Sequence, residues 1–184
     1  MAMKILLKLF PGALLALFLM GCSDEQDFNQ IDDLDIIPTA EASLVFVEIP
    51  EDFINDSTDP GFYTQTFIFG AFQEQFFADN VIDGVISYEV ENTTSKPLDV
   101  TIEFLDAGGN VLDTESFTID AAPTAVLQRE ITYGTPTGRD IGIIINTASI
   151  RLTGINLGDN TSVSTLPDPV VLLRSSAKFR IRLK

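Results

Sequence analysis

The chain holds one thiol, Cys22, and neither histidine nor tryptophan. A lone cysteine and no imidazole exclude zinc sites, disulfides within the chain and Ser–His triads. Acid–base chemistry is left to carboxylates. Asp113 and Glu115 stand two apart, which puts both on one face of a strand, as a glycosidase acid and nucleophile might be arranged. That chemistry also needs a defined separation and one raised pKa, which spacing does not supply, so a carboxylate-based hydrolase is the least favoured reading. Asp56-Ser57-Thr58-Asp59-Pro60-Gly61 and Asp159-Asn160-Thr161-Ser162 offer oxygen ligands without EF-hand spacing and read as turns. No metal and no cofactor are expected, and the chain is expected not to be an enzyme.

The thiol has a telling position. Lys4 and Lys8 precede an apolar stretch, Leu9 to Met20, broken only by Pro11 and Gly12. That is the layout of a signal peptide, and about a dozen apolar residues fall short of the roughly twenty that a membrane-spanning helix needs. The stretch ends in Leu19-Met20-Gly21-Cys22, which resembles the bacterial lipobox. The resemblance implies removal of residues 1–21 and a diacylglyceryl thioether with further acyl chains such as palmitate on Cys22, enough lipid for stable attachment. The next residues, Ser23, Asp24, Glu25, Gln26 and Asp27, resemble the serine-plus-acidic export signal of Bacteroidota lipoproteins. That likeness implies an outer-membrane address, with the extracellular face as one option; a plain acidic linker is the other reading.

Residues 22–41 are expected to form an acidic flexible tether, and residues 42–184 one domain. From Ser23 to Ser95 there are seventeen acidic residues and no basic ones; from Lys96 to Lys184, ten acidic and nine basic. A net charge of −16 opposes binding to nucleic acid phosphates and to anionic lipid surfaces.

The elements that must position any site are strands. In Pro97 to Leu105, Leu98, Val100, Ile102 and Phe104 alternate with Asp99, Thr101 and Glu103, the period of a half-buried strand. Asp106-Ala107-Gly108-Gly109-Asn110 then predicts a hairpin into Val111 to Ile119. Gly84 to Glu91 alternates likewise and reaches Pro97 through the turn Asn92 to Lys96. Further strands are predicted at Ser43 to Ile49, Thr124 to Tyr133, Ser149 to Leu157 and Ala177 to Leu183. Ile68 to Phe77 reads equally as helix or strand, with Tyr63 to Phe69 alternating, and Gly138 to Asn146 reads as a helical turn or a buried strand. At least seven strands without a long helical period predict an all-β antiparallel sandwich with short helical turns. The stretch from Tyr88 to Gly109 resembles immunoglobulin-like or fibronectin-like modules of bacterial surface proteins, which implies an immunoglobulin-like sandwich.

Three further features bear on binding. Six of the fourteen phenylalanines lie between Phe62 and Phe77; Phe69, Phe72, Phe76 and Phe77 form either an apolar partner-binding groove or part of the core. Lys178, Arg180, Arg182 and Lys184 share one face of the last strand, either as a basic strip for phosphates or an acidic partner, or as cations paired with neighbouring carboxylates such as Glu89 and Glu91, or as protection of a sheet edge. Asp56-Ser57-Thr58 resembles a Bacteroidota O-glycosylation sequence, which implies a glycan on Ser57. Together these features predict a membrane-anchored, non-enzymatic accessory lipoprotein, a binding or scaffolding subunit of an outer-membrane complex. A carbohydrate-binding or adhesion module is the alternative, stacking sugars on phenylalanine or on Tyr63, Tyr88 and Tyr133.

Overall fold

The computed structural model describes residues 34–123 and 125–183. Asp35 onward forms one compact unit, an all-β antiparallel sandwich of two four-stranded sheets. The strands are β1 Thr39–Pro50, β2 Gly61–Ile68, β3 Val81–Asn92, β4 Leu98–Leu105, β5 Val111–Ile119, β6 Ala125–Gly134, β7 Ser149–Asn156 and β8 Val170–Ile181. Short helices α1 Glu51–Asn55, α2 Gln75–Asn80 and α3 Ile141–Asn146, with a 3-10 turn at Gly70–Gln73, fill connections. Among the described residues no helix is long and apolar enough to cross a membrane.

The expected hairpin is the tip from which the whole fold unrolls. Asp106 accepts from the Gly108 and Asn110 amides, and Gly109 takes a φ of 81°, which a side chain would resist. From that tip β4 pairs with β5, β3 with β6, β2 with β7 and β1 with β8. The chain is thus a doubled ribbon, wrapped so that successive strands change sheet everywhere except at β4 and β5. The resulting orders are β1-β8-β3-β6 and β2-β7-β4-β5, the jelly-roll arrangement of paired Greek keys. The sandwich architecture is shared with immunoglobulin domains, whose strand order differs.

Alternation sets the core. Leu98, Val100, Ile102 and Phe104 of β4 and Ile86, Tyr88 and Val90 of β3 are all buried between the sheets. Asn92 to Lys96 joins β3 to β4 by crossing from one sheet to the other. β1 starts at Thr39, inside the stretch 22–41 expected as tether; its exposed first residues are held by main-chain pairing with β8. β8 starts earlier than the predicted Ala177, because Val171, Leu172 and Leu173 are all buried and hide the alternation. The two ambiguous stretches divide. β2 runs to Ile68 before the 3-10 turn and α2 begin, and Ile141–Asn146 is helical.

Candidate functional site

Asp113 and Glu115 lie on β5, the edge of one sheet, and face β6, the edge of the other. Arg139, from the loop after β6, bridges them: its guanidinium donates to Asp113 at 2.6 Å and pairs with Glu115. Tyr133 donates to Asp113 at 3.0 Å, and Arg129 donates to Glu115 at 3.2 Å while lying 4.6 Å from the centre of the Phe117 ring. Burial pushes the Tyr133 phenol upward, and the Asp113 charge adds to it. Burial works against the Arg139 charge, yet its bonds to Asp113 and Glu115 outweigh that and raise it. Two carboxylates tied to guanidinium groups form a staple along the side of the sandwich.

A second cluster lies at the pole where α1 and the β3–β4 and β7–β8 loops meet, and only its Asp159–Ser162 turn had a signal in the sequence. Glu51 is 1% exposed and accepts from the amide and hydroxyl of Ser95, both at 2.6 Å, and from the Ser164 amide at 2.8 Å. Burial pushes its carboxyl up, and these hydrogen bonds more than offset that, so the net displacement is downward. Fully buried Lys96 gives its ammonium to the Ser162 carbonyl at 2.6 Å, the Ser162 hydroxyl at 2.7 Å and Asp159 at 3.3 Å. A lysine beside a serine is one way to activate a nucleophile. Here three donors meet three acceptors, so the ammonium ties loops together instead. Bonds from the Ser162 and Thr161 amides hold Asp159 far below the usual carboxylate range, and Asp159-to-Ser162 is the turn that its spacing suggested. Among the described residues no cluster of candidate ligands could hold a metal ion.

The phenylalanines do not line a groove. Phe69 stacks on Phe72, Phe72 on Phe77, and both Phe72 and Phe77 meet the Phe179 edge at 5.7 and 5.2 Å. Of the four expected partner-binding rings only Phe76 is exposed, at 55%. Of the two readings, groove or core, the packing is that of the core: the rings close its end. Tyr88 and Tyr133 are likewise buried, which corrects their expected role in stacking sugars. Tyr63 is half-buried, with its hydroxyl donated to Gln65.

The basic strand lies between β1 and β3, so its cations do not protect a sheet edge. Lys178 pairs with Glu41, Arg180 with Asp83 and Arg182 with Asp35. Of the readings open for this face, pairing with neighbouring carboxylates is the one found, with Glu41, Asp83 and Asp35 in place of Glu89 and Glu91. Glu89 pairs with Arg174 at 2.6 Å. Lys184 lies outside the described residues, as do Cys22, Ser23, Asp24, Glu25 and Asp27. Ser57 sits half-buried in the loop between α1 and β2, its hydroxyl donated to the Asp59 carbonyl at 2.8 Å.

The outer face of the β1-β8-β3-β6 sheet carries a feature that no motif announced. Ser43 opposes Ser176, Ser176 opposes Ser87, and Ser87 opposes Glu130, so three short hydroxyl side chains lie in a row across three strands. The adjacent row is long: Phe46, Arg174, Glu89 and Gln128. Short beside long makes a trough of about 710 Å³, open to solvent and lined by both rows. Its wall is ordered from within, because Arg174 and Gln128 both donate to Glu89, at 2.6 and 2.7 Å. These bonds hold the Glu89 carboxyl below its ordinary range. Phe46 stands 61% exposed at the β1 end.

No protein-family profile matches the chain, and no curated protein matches it. Solved structures of similar shape include the pilus protein of Bacillus endospore appendages, at 11% identity and a TM-score of 0.36, covering 82% of this chain and 92% of that one. The VP2 subviral particle of infectious bursal disease virus gives 14% identity and a TM-score of 0.38 over 82% of this chain and 33% of that one. Desmodium yellow mottle tymovirus gives 8% and 0.36 over 82% and 90%. At identities and scores this low, the likenesses assign no function to this chain.

Proposed function

We propose that this chain is a non-enzymatic binding lipoprotein: Cys22 carries the lipid, an acidic segment spaces the domain from an outer membrane, and the jelly roll presents a binding face to a surface complex. The observation that carries the reading is the contrast between polar clusters enclosed by the fold and a row of polar groups that lines a concavity open to solvent. Asp113, Glu115, Lys96 and Ser162 are occupied by partners within the fold, whereas the trough on the outer sheet face is lined by polar side chains and opens to solvent. Enclosed clusters hold a scaffold, and an open polar concavity meets a ligand.

Crosslinking in intact cells tests the role, with neighbours identified by mass spectrometry. Recovery of a reproducible outer-membrane neighbour, lost when Ser87→Phe fills the trough, is the expected result. Recovery of free monomer alone in wild-type cells overturns the scaffolding role.

A further inference from the structure

We infer that the trough binds a segment of a neutral polysaccharide chain laid across the strands; this deepens the proposed function and rests on it. Four features of the trough point to that chemistry.

Its floor is hydroxyl. Ser43, Ser87 and Ser176 can each donate and accept, which suits a ligand whose own groups do both. Its walls carry planar polar groups in fixed positions: the Arg174 guanidinium, the Gln128 amide and the Glu89 and Glu130 carboxylates. Arg174 and Glu89 hold each other, and the Ser87 hydroxyl reaches Glu130 at 3.4 Å. Such preset groups pair with vicinal hydroxyls without first losing side-chain freedom. At one end the exposed Phe46 ring supplies the apolar face against which the C–H side of a sugar ring packs.

Charge selects among ligands. The charged side chains that reach the trough are one guanidinium, Arg174, and two carboxylates, Glu89 and Glu130, because Arg129 turns to the other face of β6 to meet Glu115 and Phe117. A site with one carboxylate in excess, in a chain of net charge −16, repels uronates, sulfated glycans and acidic peptides at long range. An uncharged, hydroxyl-rich ligand meets no such penalty. Length selects a chain over a single sugar. The trough reaches from β1 to β6, three strand spacings or about 14 Å, and its volume of about 710 Å³ lies within the range of roughly 300–1,000 Å³ that ligand sites occupy.

The test titrates the full chain, purified in detergent, with neutral hexasaccharides of β-1,4-glucan, xylan and mannan, and with a polygalacturonate hexamer, by calorimetry. At least one neutral oligomer is expected to bind, at least tenfold more tightly than the acidic one. Phe46→Ala and Arg174→Ala are each expected to weaken it tenfold or more, and Ser87→Phe to abolish it. All three substitutions lie on the outer face, and an unchanged melting temperature with native circular dichroism checks that each variant folds.

Binding of none of the neutral oligomers overturns the inference, as does preference for the acidic one, or binding that persists in folded Ser87→Phe. If the glycans fail while Ser87→Phe still removes a protein neighbour in the crosslinked cells, the glycan assignment falls and the binding role stands. If both fail, the proposed function falls with it.

Discussion

Replacing Glu51 by alanine strips the acceptor from three donors at once: the Ser95 amide, the Ser95 hydroxyl and the Ser164 amide. The hydroxyl can turn elsewhere, but the two amides are fixed by their loops. An orphaned buried donor costs about 1–3 kcal/mol. Ser95 and Ser164 are half-buried, so water repairs part of the loss, and the two together are expected to cost about 2–4 kcal/mol. For a domain of this size that lowers the melting temperature by roughly 5–15 °C. Glu51→Gln is informative in another way. Its one carbonyl oxygen can serve Ser95, but its amide group then confronts the Ser164 amide, donor against donor, so much of the cost remains.

The sign of the pH dependence follows from the depressed carboxyl of Glu51. As pH falls, the unfolded chain takes up this proton first, near pH 4.3, so the stabilisation is complete above that value and is lost as pH drops through the lower folded-state value. Urea unfolding of wild type and Glu51→Gln is therefore expected to show a full difference at pH 7 that narrows at pH 3. Asp52→Asn, exposed on the same short helix, is the control and should change stability by no more than about 0.5 kcal/mol. A neutral Glu51→Ala, or a gap between wild type and Glu51→Gln that is as wide at pH 3 as at pH 7, refutes the account of this cluster as an electrostatic tie between loops.

Arg139→Met leaves the buried carboxylate of Glu115 without its nearest cation, and is expected to cost about 3–5 kcal/mol in urea unfolding, with part recovered by adding Glu115→Gln. Gly84→Ala would drive a methyl group into the Phe179 ring and to 2.8 Å from the Lys178 carbonyl oxygen; overpacking of about 1–3 kcal/mol or more is expected in thermal melts. Among the described residues the buried Tyr88 hydroxyl has no hydrogen-bond partner, so Tyr88→Phe is expected to be neutral or stabilising by up to about 1 kcal/mol. Cys22→Ser is expected to leave an unprocessed chain that no longer floats with the outer-membrane fraction, and normal maturation with retention in that fraction refutes the anchor.

The fold was legible where side chains alternate beside a turn that only certain residues allow. Asp106 to Asn110 names its hairpin, and β3, β4 and β5 follow from a period of two. Pairing was not legible. β1 reaches β8 across more than a hundred residues, and nothing local to either strand encodes that choice; it follows from rolling up a ribbon whose tip alone is written in the sequence. Charge placement was readable only by type. The cations of β8 do meet carboxylates on flanking strands, yet Arg180 takes Asp83 where Glu89 or Glu91 had been expected, because register decides which acid stands opposite. Glu51 and Lys96 were hidden for another reason: a buried charge is the exception to the pattern by which cores are recognised, and its partners come from loops distant in sequence.

The trough depends on an irregularity that periodicity misplaces. Counting back by twos from the inward Ile49, Val47 and Val45 puts Ser43 in the core and Leu44 outside. The register instead shifts between Ser43 and Val45: Leu44 is left out of the ladder as a bulge and packs against the core, and Ser43 turns outward opposite Ser176. One extra residue thus supplies the third hydroxyl of the floor and brings Phe46 to the neighbouring row. Bulges recur where a strand must re-aim a side chain, and in β1 the side chains re-aimed are those that open the trough at its edge. A regular strand with Ser43 directed inward would bury an extra hydroxyl in the core and expose a leucine in the floor, which costs stability and replaces a polar surface with an apolar one. The bulge keeps the core apolar and the floor polar at the same time, and the capacity of this face to meet a hydroxyl-rich ligand follows from it.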